Sequence, residues 1–313
     1  MPHSYKLPTR RTLVHKAIEP RKLSAKTQAL VARRLGDLWE VKYDGVHCII
    51  IYKDGRAYAF SRQGEPVNGS MDHVLRILEK HLPKDAAYAF FGEAWRPDVS
   101  HQEINGEFRR GNDGSDPHNL EMVFFDYVPL ADFEAGVCPV RFQTRRYALT
   151  HMIYDIMRTY AVRKRAPVRV SYLSTCKEHC EQLVETERSY GHVFAIDGYM
   201  RKDPDGIWKA GSGSCGTILK DKDNIQVDLK VDSIFEGKGK FTGMLGGFSC
   251  TYNGKKQKVG GGTLTDEQRK FYWDFPNHIV GGIIEVHGLS ESEGGLLREP
   301  RFHRLREDKT EGE

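Results

Sequence analysis

Two apolar runs, Val46–Tyr52 and Ala57–Phe60, are separated by Lys53-Asp54-Gly55. An Asp-Gly between apolar runs specifies a tight antiparallel hairpin, because the favoured two-residue turn needs positive φ at both central positions. A chain carrying this pair must build a sheet. Just upstream lies Glu40-Val41-Lys42-Tyr43-Asp44-Gly45. It reads as the end of a buried strand that turns at the glycine and runs on into Val46. Lys42 therefore sits on a rigid sheet among apolar and aromatic neighbours. A lysine meant to act as a nucleophile needs such a place, where desolvation and cationic neighbours lower its pKa. K-x-D-G fixes only three common residues, and a lysine before a turn is usually a solvated strand end. The rest of the chain has to decide between the two.

At 313 residues, one large or two ordinary domains are expected. No apolar run approaches the ~20 residues of a membrane span, and Met1-Pro2-His3-Ser4-Tyr5-Lys6 lacks the apolar core of a secretory signal. The cysteines (Cys48, Cys138, Cys176, Cys180, Cys215 and Cys250) are scattered, and Cys176-x-x-x-Cys180 lacks the second pair a zinc site would need. Reduced thiols and a cytoplasmic setting are expected. Net charge is only +4, yet the positive charge is clustered. Lys6, Arg10, Arg11, Lys16, Arg21, Lys22 and Lys26 crowd the start; Arg298, Arg301, Arg304, Arg306 and Lys309 crowd the end. Such clusters fit a polyanion footprint or a solvated surface.

Residues 1–22 read as irregular. Ser24 to Leu38 carries Leu30, Val31, Leu35 and Leu38 at helical spacing. Ser61-Arg62-Gln63-Gly64 reads as a loop, and Ser70 as the cap of a helix bearing Val74, Leu75, Ile77, Leu78 and Leu82. Tyr88–Phe91 is an apolar strand ending at Gly92-Glu93. Residues 97–119 read as a long polar loop. Met122–Val128 is a buried strand, Leu149 to Tyr160 an apolar helix face, and Thr175 to Gly191 a further helix. Val193–Ile196 reads as a strand ending in Asp197-Gly198-Tyr199-Met200. From about Gln226 strands become short and glycine-rich, with an Asn253-Gly254 turn, a Thr265-x-x-Gln268 capping box and a last strand at Ile283–Val286. Short strands with one helix suggest a small OB-type barrel.

Strand ends thus carry Lys42 and Asp44, Arg62, Glu93, Asp126, Asp197, Lys220 and Lys222, with Phe125 as an aromatic face. This inventory suits a nucleoside triphosphate with a metal. In this order the motifs resemble the nucleotidyltransferase superfamily of ATP-dependent DNA ligases, and most of all its short two-domain bacteriophage and bacterial members. The resemblance runs from about residue 38 to 309. It implies an α+β fold: an adenylation domain of antiparallel sheets and flanking helices over residues 1–226, and an OB-fold barrel over 227–313. It implies that Lys42 is adenylated, that Glu40 lies near the adenine, that Arg62 helps hold the nucleotide, that Glu93 meets the ribose, and that Phe125 stacks on the base. Asp197-Gly198-Tyr199-Met200-Arg201-Lys202 lines up with E-G-h-h-h-K, whose acid serves the metal; Lys202 could equally be a surface lysine. Lys220 and Lys222 match the K-x-K pair at the α-phosphate. Phe235–Lys240 and Leu297–Lys309 look like the OB domain and its last motif. Asp197 stands for the usual glutamate, His47 for a common arginine, and Ile218-Leu219 for the usual aromatic before K-x-K.

The implied reaction seals 5′-phosphate/3′-hydroxyl nicks through lysine-AMP and a DNA-adenylate. ATP and Mg²⁺ (or Mn²⁺) would serve it, with Glu93 and Asp197 at the metal. The implied partner is nicked duplex DNA, gripped by its backbone through Arg10, Arg11, Lys238, Lys240, Arg298, Arg304 and Arg306. No membrane partner is expected, and the protein reads as a monomer of a bacterial or phage-infected cytoplasm. An RNA ligase, a GTP-dependent mRNA-capping guanylyltransferase, or a nucleic-acid-binding module with an inactive site are the alternatives.

Overall fold

The computed structural model describes residues 5–10, 12–67, 69–110, 120–160, 167–191, 194–211, 213–221, 225–288, 291 and 294–309. The chain divides into two compact units, Met1–Asp221 and Lys222–Glu313.

The first unit opens with helix α1, Ala25–Arg33, whose cap Ser24 accepts from the Thr27 amide at 3.2 Å. Its expected apolar face does not form. Leu30 and Leu35 are 62% and 90% exposed, Leu38 belongs to the next strand, and only Val31 is buried. There follow β1 Leu38–Tyr43, β2 Val46–Lys53, β3 Arg56–Ser61, α2 Asp72–His81, β4 Tyr88–Trp95, α3 His101–Arg110, β5 Glu121–Pro129, α4 Leu130–Ala135, β6 Val137–Cys138 and α5 Phe142–Tyr160. The unit closes with β7 Val168–Val170, β8 Leu173–Ser174, α6 Lys177–Ser189, β9 Ile196–Lys202, β10 Trp208–Lys209 and β11 Ile218–Asp221.

Two sheets organise these elements. One has the order β3-β2-β4-β5-β7, the other β11-β9-β1-β8. The β2–β3 hairpin turns at Asp54 and Gly55, both at positive φ as the Asp-Gly pair requires. Ile49, Ile50 and Ile51 are fully buried, because Ile50 faces one core with Phe90 and Phe124 while Ile49 and Ile51 face another with Phe91, Phe133 and Trp208. A strand covered on both faces must be apolar throughout, which explains the unbroken run.

β1 and β2 belong to different sheets, so the chain crosses from one to the other at Asp44-Gly45. A Cβ at residue 45 would lie 2.5 Å from the Ala94 carbonyl oxygen, so the crossing demands glycine.

Three further expectations need correction in this unit. The loop at 97–119 contains α3, anchored by only two buried side chains, Ile104 and Phe108. Ser70 does not cap α2: Met71 holds that position, and Ser70 Oγ donates to the Phe108 carbonyl at 3.0 Å. The strand expected to end at Asp197 instead starts at Ile196 and runs to Lys202.

The second unit is a closed barrel of β12 Ile225–Glu236, β13 Leu245–Tyr252, β14 Lys255–Gly260, β15 Ile283–Gly288 and β16 Arg301–Leu305, in the order β12-β13-β14-β16-β15. Helix α7, Asp266–Asp274, carries the full capping box from Thr265 and Gln268. Leu229, Val231, Phe248, Val259, Ile284, Val286 and Phe302 fill the barrel. The basic tail is thus partly a strand: Phe302 is buried while Arg301 and Arg304 are exposed. The architecture is the α+β arrangement with an OB-like barrel that the motifs imply. No helix among the described residues is long and apolar enough to cross a membrane.

Candidate active site

A pocket in the first unit is lined by Glu40, Lys42, His47, Arg62, Glu93, Phe125, Asp126, Ser171, Lys202 and Lys220, drawn from both sheets. Val14 to Ala17 close one wall. This stretch of the basic N-terminus runs beside β11: the Ile18 amide donates to the Ile218 carbonyl, and the Lys220 amide donates back to Ile18. Sequence reasoning left it irregular. Its strand-like pairing is carried by backbone, which leaves no side-chain pattern.

The register between β1 and β9 slips at Lys42. Val41 pairs with Tyr199 and Tyr43 with Ile196, so Asp197 and Gly198 together oppose one residue. This is a β-bulge, and Gly198 takes the left-handed φ of 86° it requires. The bulge brings Asp197 Oδ2 onto Lys42 Nζ as a hydrogen-bonded ion pair. The pair is mostly shielded, with side-chain exposures of 21% and 15%.

A second bulge aims Phe125. On β4–β5, Phe91 pairs with Asp126 and Gly92 with Phe124, leaving Phe125 as the extra residue. Phe124 and Asp126 are buried while Phe125 is partly exposed at the pocket. Its ring meets the edge of His47 at 5.6 Å, and Lys202 Nζ lies 5.0 Å from its centre. Gly92 is needed here too: a Cβ would stand 2.4 Å from the Val123 carbonyl oxygen.

Glu93 follows Gly92 and stands opposite His47. Burial pushes its carboxyl up to about 7, against the pull of Lys42 and Arg62. Burial pushes His47 down to about 3, with Arg62 adding to the effect, so its ring is neutral. The His47 Nδ1 is buried without a hydrogen-bond partner. Arg62 is exposed at the pocket rim, in a turn where Ser61 Oγ accepts from the amides of Gln63 and Glu65 at 3.3 and 3.1 Å.

Glu40 is buried and engaged through both oxygens. Arg146 Nη1 donates to Oε1 at 2.8 Å, Ser171 Oγ to the same oxygen at 2.5 Å, and Lys202 Nζ reaches Oε2 at 2.5 Å. Lys202 is 3% exposed, so it is no surface lysine. Asp126 is likewise held by Arg145 through two bonds of 2.9 and 2.8 Å. Arg145, Arg146 and Ser171 were missed by sequence reasoning. The two arginines lie one turn ahead of Leu149 on the apolar face of α5, and a charge on an apolar face is the trace such buried partners leave.

The residues expected at DNA divide. Lys238 and Lys240 are exposed on the barrel, with Lys240 3.7 Å from Asp266. Arg10 does not project outward as a free cation: its guanidinium donates to the carbonyls of Phe133 and Glu134 and packs 5.2 Å from the Phe133 ring. Arg306 is bound to Asp228 at 2.9 Å and to Asp308 at 2.8 Å. Arg304 donates to Glu285 at 2.7 Å while remaining largely exposed. Arg298 is partly buried. Arg11 and Lys222 lie outside the described residues.

For a metal such as magnesium, the oxygen donors in the pocket are carboxylates, beside the imidazoles of His15 and His47. Magnesium is usually held by one or two carboxylates plus substrate phosphates. Glu93, whose charged form suffers from burial, fits that demand, and the charge of Asp197, ion-paired to Lys42, acts on it.

The family profile described as "ATP dependent DNA ligase domain" matches residues 21–222, and that described as "DNA ligase OB-like domain" matches residues 236–306. Among curated proteins, "DNA ligase 2" of Methanosarcina mazei is 25% identical over 305 residues, covering 86% of this chain and 52% of its own. The chain spans about half the length of the curated relatives it matches. Among solved structures, Pmar-Lig_PreS3 superposes with a TM-score of 0.72 at 24% identity, over 94% of this chain and 67% of its own. A structure from a study of Lig E DNA ligases gives 0.62 at 18% identity, over 93% and 99%. These likenesses establish the fold.

Proposed function

The chain belongs to the ATP dependent DNA ligase family, and we propose that it seals 5′-phosphate/3′-hydroxyl nicks in duplex DNA through a lysine-AMP and a DNA-adenylate. One observation carries the reading: the Lys42 amine, fixed on a strand by its bulge, shares a pocket with three kinds of group a nucleotide needs. Arg62 and Lys220 bring positive charge for phosphates, Phe125 an aromatic face for the base, and Glu93 a carboxylate for a metal, with Asp197 ion-paired to Lys42 as a second carboxylate.

In this reading Lys42 Nζ attacks the α-phosphorus of ATP, forming an N–P bond as the bond to pyrophosphate breaks. Its ammonium must first lose a proton, and Asp197 Oδ2 already accepts a hydrogen bond from it. Arg62 and Lys220 stabilise charge on the phosphate oxygens, and Lys222 joins them as the second lysine of its motif. Bound Mg²⁺, held by Glu93 and Asp197, would neutralise phosphate charge. The AMP then passes to the 5′-phosphate of a nick, and attack by the 3′-hydroxyl releases it.

Glu40 presents an acceptor-only carboxylate held by Arg146, Ser171 and Lys202. That supports adenine, whose exocyclic amine donates, over guanine, whose corresponding group accepts. We divide the work between an adenylating domain of residues 1–226 and an OB domain of residues 227–313. The DNA would be gripped through its backbone by the exposed cations Lys238, Lys240 and Arg304, without base readout.

The test is labelling with α-³²P-ATP or α-³²P-GTP and Mg²⁺, then a chase with nicked duplex. Label from ATP, absent in Lys42→Ala and chased into a sealed strand, is expected. Label only from GTP, or none in folded protein, overturns the proposal.

A further inference from the structure

On the barrel, Glu285 and His287 alternate along β15 and so share a face. The facing strand β16 bulges: Arg304 pairs with Glu285 and Phe302 with Val286, leaving His303 as the extra residue. The bulge turns His303 onto that same face. Its ring stacks on His287 at 4.1 Å and 14°. His287 Nε2 lies 2.7 Å from Glu285 Oε1, and His303 Nε2 lies 3.9 Å from the same oxygen. One donor atom from each residue falls within 4.8 Å of the others, a cluster with no counterpart among the described residues.

We propose that Glu285, His287 and His303 form a binding site for a late first-row divalent metal ion, with Zn²⁺ as the representative, separate from the nucleotide pocket. Two imidazoles and a carboxylate are the donors that zinc takes, and magnesium prefers oxygen alone. Tetrahedral zinc with bonds of about 2.0–2.1 Å separates its ligands by roughly 3.3 Å. The 2.7 Å contact needs to open and the 3.9 Å contact to close, each by less than an ångström, and one imidazole must rotate out of the 14° stack so that both Nε2 lone pairs meet one ion. The His303 side chain is 40% exposed, which gives an ion entry and leaves its remaining position to water.

The carboxylate is already prepared. Arg304 Nε holds Glu285 Oε2 at 2.7 Å, leaving Oε1 toward the histidines, as an outer partner orients a metal ligand. Arg304 and Arg306, the latter 3.7 Å from Oε2, add positive charge nearby. That charge disfavours weakly held cations and leaves the site to ions that bind imidazole strongly. A bound ion would clip β16 to β15 and stabilise the barrel by mass action.

The test uses the full chain without a histidine tag. Zn²⁺ binding is measured by equilibrium dialysis in excess Mg²⁺, and Co²⁺ binding by its visible spectrum. We expect about one ion per chain, a tetrahedral Co²⁺ spectrum, and at least a roughly tenfold weaker affinity in His287→Asn and in His303→Asn with unchanged circular dichroism. Cys215→Ser is the control, because the exposed Cys215 Sγ lies 3.9 Å from His15 Nε2 and offers a rival site. His303, on the exposed bulge, keeps the test open should His287→Asn fail to fold. No uptake, uptake unchanged in His303→Asn, or uptake abolished in Cys215→Ser would overturn the proposal.

Discussion

His47 and Glu93 stand opposite each other on β2 and β4, and burial drives both toward their neutral forms. Glu93 rises from 4.5 to about 7. Between those values the folded chain holds a proton that the unfolded chain has lost, so stability falls as pH rises across the window, and the whole penalty is present above about 7. Glu93→Gln removes the ionisation. Its thermal stability relative to wild type should therefore grow from pH 5 to pH 8 in nucleotide-free protein. A difference that stays flat with pH would falsify the burial of this charge.

His47 makes the converse case. Its ring is held near 3, so it should not titrate between pH 5 and 8. Histidine ring resonances assigned by comparison with His47→Asn should stay fixed for this residue over that range. A midpoint near 6.5 would mean that the ring is solvated, and that the polar atom now without a partner is instead hydrated.

Lys42→Arg separates charge from nucleophilicity. A guanidinium keeps the positive charge beside Asp197 but offers no free amine lone pair. Adenylation should fall to background while the melting temperature changes little. Lys42→Met should also be inactive, yet it leaves Asp197 without its cation and should destabilise the fold. Label retained by Lys42→Arg would remove this lysine from the proposed chemistry.

The buried acid Glu40 predicts a different pattern. Lys202 and Arg146 each satisfy part of its charge, and removing one partner of a buried pair typically costs about 3–5 kcal/mol. Lys202→Met and Arg146→Met should each show that loss in denaturant unfolding. The triple variant Glu40→Gln, Arg146→Met, Lys202→Met should recover part of it, since none of the three buried charges then remains. Equal loss in single and combined variants would mean that the network contributes only by packing.

These residues also mark how far the chain could be read. The hairpin at Asp54-Gly55, the capping box at Thr265 and the turn at Gly45 were legible, since each is fixed by backbone sterics at one point. Phe125 and Asp197 were legible as types but not in direction, and His303 was not singled out at all. Each is aimed by a bulge, and a bulge depends on how two distant strands pair. Arg146 and Ser171 were invisible because their shared partner, Glu40, lies far away along the chain and meets them only once the sheets have formed. Helix α3 was lost because two buried side chains leave too short a stripe.

Charge clusters misled in one respect, and this yields the last prediction. Arg10 and Lys238 looked alike as cations for DNA, but the structure gives them different work. Arg10 is spent on two carbonyls and a ring inside its own unit. Lys238 is exposed on the barrel. Removing one cation that neutralises a phosphate should reduce the slope of log affinity against log salt by about 0.9. Lys238→Ala should therefore weaken nicked-DNA binding at low salt and flatten that slope by about one unit, without altering the melting temperature. Arg10→Ala should leave the slope as it was and cost about 1 kcal/mol of stability, because the Phe133 and Glu134 carbonyls lose their charged donor. Should Arg10→Ala instead flatten the slope at constant stability, the guanidinium must leave Phe133 to reach phosphate when DNA is bound.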